Sequence, residues 1–149
     1  MSTAGKVILT ISICIILLVI GVVGAGAYWW SRHGRHMVEA GANAMKEGSE
    51  AGKKTDNQGC LDQTLSRYKA NKGLGGGISS NIFLLGCLET SSPTPGFCDD
   101  VPSPSDIIKS AAWQLQKAKE AGMPDDPYCR QIFGTVQQHC QKVRLRPKQ

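Results

Sequence analysis

The chain has 149 residues and a formal net charge of +5, from 17 lysines and arginines against 12 aspartates and glutamates. Aromatic residues make up only 6% of it, which excludes a large packed core, and no interleaving of basic and aromatic residues marks a nucleic-acid surface. The composition averages two unlike parts: a greasy segment near the start and a polar remainder with room for one small domain.

After a short tail of residues 1–6 that carries Lys6, residues 7–30 contain no charge and no proline. A helix of that length rises about 36 Å, enough to cross a hydrocarbon core about 30 Å thick. Thr10 and Ser12 return hydrogen bonds to carbonyls one turn back and do not interrupt it. The segment is expected to be a transmembrane anchor, with the lipid bilayer as its first partner. Tyr28, Trp29 and Trp30 suit the headgroup level, and Arg32 and Arg35 follow as the polar flank. Lys6, the apolar run and Ala25-Gly26-Ala27 also fit a secretory signal cleaved after Ala27. The length of the run and its aromatic border favour retention as a signal-anchor.

Two arguments bear on orientation. Arg32, Arg35 and Lys46 outnumber Lys6 and lean toward a cytoplasmic carboxy-terminal side. The cysteines lean the other way. Cys14 lies in the apolar segment, but Cys60, Cys87, Cys98, Cys129 and Cys140 all follow it, and no two are spaced as C-x-x-C. That spacing argues against a zinc ribbon, a thioredoxin-like site or a c-type haem, and points to disulfides in an oxidising compartment. The expectation is a single-pass protein with a cytoplasmic amino terminus and a periplasmic or extracellular domain.

Residues 31–54 read as a helical connector. Ala40, Ala44, Gly48 and Gly52 share one face, as Gly21 and Ala25 do in the anchor, and such faces admit a partner helix or a second copy. The glycines equally suit a plain stalk. A small all-α domain of about four helices is expected over residues 55–145, with a basic tail end at 146–149. Thr55 and Gln58 have capping-box spacing for its first helix, whose apolar face is Cys60, Leu61, Leu65 and Tyr68. The glycine-rich run 73–81 reads as a loop; it lacks the closing Gly-Lys-Ser/Thr of a phosphate loop. Ser80 or Asn81 then caps a strongly apolar helix over 82–88. Four prolines between residues 90 and 104 exclude regular structure there, with Cys98 as a pin. Asp99 and Asp100 beside it read as solvated rather than metal-binding.

Ser105 is expected to cap the third helix, with Ile108, Ala111, Ala112, Leu115 and Ala118 as its inner stripe. Trp113 falls off that stripe with Lys109 and Lys117, and makes either a partner surface or a contact with the proline-rich loop. Gly122 stops this helix, and Asp126-Pro127 opens the last one. Its stripe is Cys129, Ile132, Phe133, Val136, Cys140 and Val143.

Cys129 and Cys140 lie about 16 Å apart along one helix, whereas a disulfide needs Cα atoms within about 7 Å. Antiparallel hairpins favour Cys60–Cys87 and Cys98–Cys140, leaving Cys129 as a free thiol. Pairing of Cys60 or Cys87 with Cys129 stays open on spacing alone.

Nothing in this pattern assembles a catalytic site. His139 adjoins Cys140 but points about 100° away on the helix, and His33 and His36 sit at the membrane edge. No enzyme activity, cofactor or metal is expected. The chain reads as a membrane-anchored protein displaying a disulfide-stapled helical domain that works by binding an envelope protein, a second copy or the membrane surface. The alternative is a thiol-active or redox-responsive protein using Cys129, near the positive end of its helix.

Overall fold

A computed structural model describes residues 3–146, apart from the side chains of 3–10, 29–30 and 32–37. Among the described residues the chain is all-helical: α1 (Thr3–Gly52), α2 (Asn57–Ala70), α3 (Leu74–Thr90), α4 (Ile107–Glu120) and α5 (Pro127–Leu145). It divides into two compact units, Met1–Glu39 and Ala40–Gln149.

The first unit is helix. Within it Ile11–Tyr28 is long and apolar enough to cross a membrane, with a mean hydropathy of 2.5 and no buried residue. Tyr28 is 65% exposed. Trp29, Trp30, Arg32 and Arg35, the other expected interface residues, have side chains outside the described set.

The second unit begins at Ala40 rather than at 55, because the end of α1 is part of its core. Ala44, Gly48 and Gly52 are buried. A Cβ on Gly48 would land on the backbone carbonyl of Phe83 in α3, and one on Gly86 would land on that of Met45. The two helices therefore touch backbone to backbone and run in the same direction, with the Thr90 hydroxyl donating to the Ser49 carbonyl at 2.8 Å. The small-residue face expected to take a partner helix or second copy is filled by α3 of the same chain.

Helix α2 is capped by Asp56, not Thr55: its Oδ1 accepts the Gly59 amide at 2.9 Å. Gln58 instead donates to Asp62. Tyr68, Cys60 and Leu61 face inward as expected, and Thr64 joins them by donating its hydroxyl to the Cys60 carbonyl at 2.7 Å.

The largest departure is α3. The glycine-rich run 73–81 is helix from Leu74 onward, and only Gly73 turns, with φ +104°. A Cβ on Gly76 would strike the Asn71 carbonyl, and one on Gly77 the ring of Tyr128. These glycines are packing sites. They let α3 lie close under the end of α2 and the start of α5, and that contact outweighs the roughly 1 kcal/mol cost of each helical glycine. Helix α3 carries Phe83, Leu84, Cys87 and Leu88 into the core, as its apolar sequence suggested, and is flanked by α1, α2 and α5.

The proline-bearing segment 91–106 is irregular apart from a single bridge between Ser92 and Asp56. Asn57 holds its start, donating to Ser91 Oγ at 2.9 Å and accepting the Thr94 amide at 3.1 Å. Asp126 caps α5 by accepting the Tyr128 and Cys129 amides, with Pro127 in the first turn. The expected inner stripe of α5 is buried from Cys129 to Cys140, whereas Val143 is 44% exposed.

Candidate partner-binding surface

Helix α4 packs against α5, and the packing turns it the opposite way from its apolar pattern. Its cap is Asp106, whose Oδ1 accepts the Lys109 amide, so Ser105 lies outside the helix. Ser110 and Ala118 are the buried positions, with Trp113 and Gln114 half-buried beside them. The Ser110 hydroxyl donates to Gln137 Oε1 at 2.9 Å, and the Gln114 amide donates to the same oxygen. A buried glutamine on α5 thus finds its partners on α4, and Trp113 sets its ring edge-on against Phe133.

The expected inner stripe is displaced to the surface. Ile108 is 83% exposed, Ile107 79% and Leu115 48%; Ala111 and Ala112 are also exposed, and Ala118 alone of the stripe is buried. Beside this ridge a groove of about 540 Å³ runs between α3, α4 and α5. Gly134 and Thr135 lie in it, with Ala111 on one wall and Leu85 on the other. Ala111 belongs to both, so ridge and groove form one continuous surface.

The ring of Trp113, expected on a partner surface or against the proline-rich loop, is half-buried. It packs on the core against Phe133. Lys109 pairs with Asp106 at 3.2 Å and Lys117 with Glu120 at 2.8 Å. Lys117 lines the same cleft as the Trp113 ring.

The cysteines pair as the hairpin geometry favours. Cys60 bonds to Cys87 with Cα atoms 5.7 Å apart, and Cys98 to Cys140 at 5.3 Å. Cys129 is a free thiol, but it is fully buried. Burial first, and then the Asp126 carboxylate beside it, push its pKa up to about 11. The helix amino terminus does not activate it, because Asp126 already occupies that end. Burial and the raised pKa both disfavour its thiolate.

His139 is half-buried, and burial followed by the Arg146 and Lys142 charges lowers its pKa. Among the described residues no three His, Cys, Asp or Glu side chains gather as metal ligands. No protein family, curated protein or solved structure matches this chain, so its surface is read from its own residues.

Proposed function

We propose that the chain is a single-pass membrane-anchored protein whose carboxy-terminal helical domain stands outside the cytoplasm and binds a partner protein through the outward face of α4. The observation that carries this reading is the exposure of Ile107, Ile108 and Leu115 on a helix whose opposite face is fixed to the core. Burying an aliphatic side chain of this size gains about 1.5–3 kcal/mol, so three left in water hold a gain available on association. A ridge beside a groove suits an amphipathic helix of the partner, laid along the α3–α5–α4 surface.

The anchor reading is supported by the apolar helix over Ile11–Tyr28. The extracytoplasmic orientation is supported by the two disulfides, which persist in an oxidising compartment. The partner is then an envelope protein of that compartment.

The test is photo-crosslinking from position 108 or 115 in the full-length protein in its own membrane, with position 63 on the exposed side of α2 as control. A discrete adduct from 108 and 115, absent from 63 and abolished by Ile107→Lys, is the expected result. No adduct from either position, or the same adduct from 63, would overturn it. For orientation, a membrane-impermeant thiol reagent applied to intact cells after reduction should label the domain; full protection until the membrane is permeabilised reverses the topology.

A further inference from the structure

The other side of α4 holds a second site. A cleft of about 380 Å³ opens between α2, the segment 91–106, α4 and α5. Phe97, Trp113, Phe133 and Leu61 line its apolar part. The volume lies at the low end of ligand pockets and accommodates one or two large side chains.

The polar lining has a definite sign. Asp62 from α2, Asp100 from the irregular segment and Glu120 from α4 lie around the cleft, opposed by Lys117 alone. Glu120 accepts from Lys117 Nζ at 2.8 Å and from Gln116 Nε2 at 2.9 Å, and these bonds hold its carboxyl below the usual range. Three carboxylates against one ammonium reverse locally the sign of a chain whose net charge is +5. The walls are also held covalently. Leu61 follows Cys60, which is bonded to α3, and Phe97 precedes Cys98, which is bonded to α5. Such a seat exists before its ligand arrives, which lowers the ordering cost of binding.

We infer that this cleft binds a basic–apolar peptide segment of a partner protein. One bulky apolar side chain fills the space between Phe97, Trp113 and Phe133, and the adjacent Arg or Lys lies on Asp62, Asp100 and Glu120. The apolar seat supplies affinity, and the carboxylates reject acidic or uncharged neighbours. This site is independent of the Ile108 face, and either can stand if the other fails.

The experiment uses the full chain in lipid nanodiscs and three labelled peptides, Arg-Leu-Arg, Arg-Gly-Arg and Glu-Leu-Glu, followed by fluorescence anisotropy. Arg-Leu-Arg should saturate the protein, Arg-Gly-Arg should bind at least tenfold more weakly, and Glu-Leu-Glu should not bind. The double reversal Asp62→Lys with Asp100→Lys should weaken Arg-Leu-Arg at least tenfold and admit Glu-Leu-Glu, with the melting curve unchanged. Ile108→Lys should leave all three affinities as they were. Equal binding of the acidic and basic peptides, indifference to the double reversal, or no saturation by Arg-Leu-Arg at millimolar concentration would each overturn the assignment.

Discussion

The ring of Trp113 meets the ring of Phe133 edge-on, with centroids 5.9 Å apart and planes at 89°. That pair and the Ser110–Gln137 hydrogen bond together fix the rotation of α4. A rotation that buried Ile108 and Leu115 would gain about 1.5–3 kcal/mol for each. It would also withdraw Trp113, which brings a large contact area and about 0.5–1.5 kcal/mol of ring geometry. Gln137 Oε1 would then lose both of its donors, Ser110 and Gln114, at a further cost of about 1–3 kcal/mol. The observed rotation satisfies the buried polar groups and leaves the aliphatic side in water.

Substitutions on the two sides of α4 should therefore differ sharply. Ile108→Lys is expected to change stability by less than about 0.5 kcal/mol, since it alters an exposed position with no packed neighbour to lose. Trp113→Ala removes the contact with Phe133 and should cost about 3 kcal/mol or more. Urea denaturation followed by circular dichroism measures both. Equal losses would mean that α4 buries its aliphatic stripe after all.

What the sequence shows about this fold depends on whether a signal is local. The all-helical class, the Asp126-Pro127 start of α5 and its stripe from Cys129 to Cys140 are local, and they were readable. Hairpin geometry favoured the disulfide pairs, because α2–α3 and α4–α5 are antiparallel neighbours, but spacing alone left pairing with Cys129 open. The face of α4 was not readable by counting apolar residues, since its burial is decided by Gln137 on another helix. A signal was present: Gln137 adjoins Val136 on the inner side of α5, and a glutamine there requires donors such as Ser110 and Gln114. The glycine run failed for a related reason. Glycine reads as a loop unless the ring of Tyr128 or the carbonyl of Asn71 that needs the space is known.

The α3 glycines should separate by what a Cβ would meet. At Gly75 it would meet nothing within 4 Å, so Gly75→Ala gains helix propensity and should stabilise the domain by about 0.5–1 kcal/mol. At Gly76 it would strike the Asn71 carbonyl, so Gly76→Ala should destabilise it by about 1–3 kcal/mol. Thermal melts of the two variants read opposite signs. If both melted higher, 74–81 would be an ordinary helix start with no close backbone contact.

The two disulfides should not be reduced together. Cys60, Cys87 and Cys140 are fully buried, whereas Cys98 lies partly exposed in the irregular segment. A thiolate reductant needs access to a sulfur, so Cys98–Cys140 should open first under graded dithiothreitol. Mass mapping after alkylation should find Cys98 and Cys140 labelled while Cys60 and Cys87 remain joined. Each bridge closes a long loop, with sequence separations of 42 and 27, and losing either should cost about 3–4 kcal/mol. Opening in the reverse order would place the protected bond in the segment 91–106.

The Tyr68 hydroxyl donates to both oxygens of Asp126, at 2.7 and 2.8 Å, joining the end of α2 to the cap of α5. Burial, and then this hydrogen bond, push the Tyr68 pKa from 10.0 up to about 12. Burial alone would raise the Asp126 carboxyl, but the Tyr68 hydroxyl and the Cys129 and Tyr128 amides outweigh it and hold the group below 3.8. The signs fix two pH windows. The tyrosine contribution is complete below pH 10 and is lost as pH rises toward about 12, because the unfolded chain releases its proton first. The aspartate contribution is present above about pH 4 and is lost as pH falls through the lowered folded value. Tyr68→Phe should cost about 1–3 kcal/mol at neutral pH, leaving Asp126 with its two amides. It should also flatten the alkaline limb, so that wild type and variant converge in melting temperature between pH 10 and 12. Parallel curves through that interval would show that Tyr68 ionises as readily in the folded domain as in the unfolded chain.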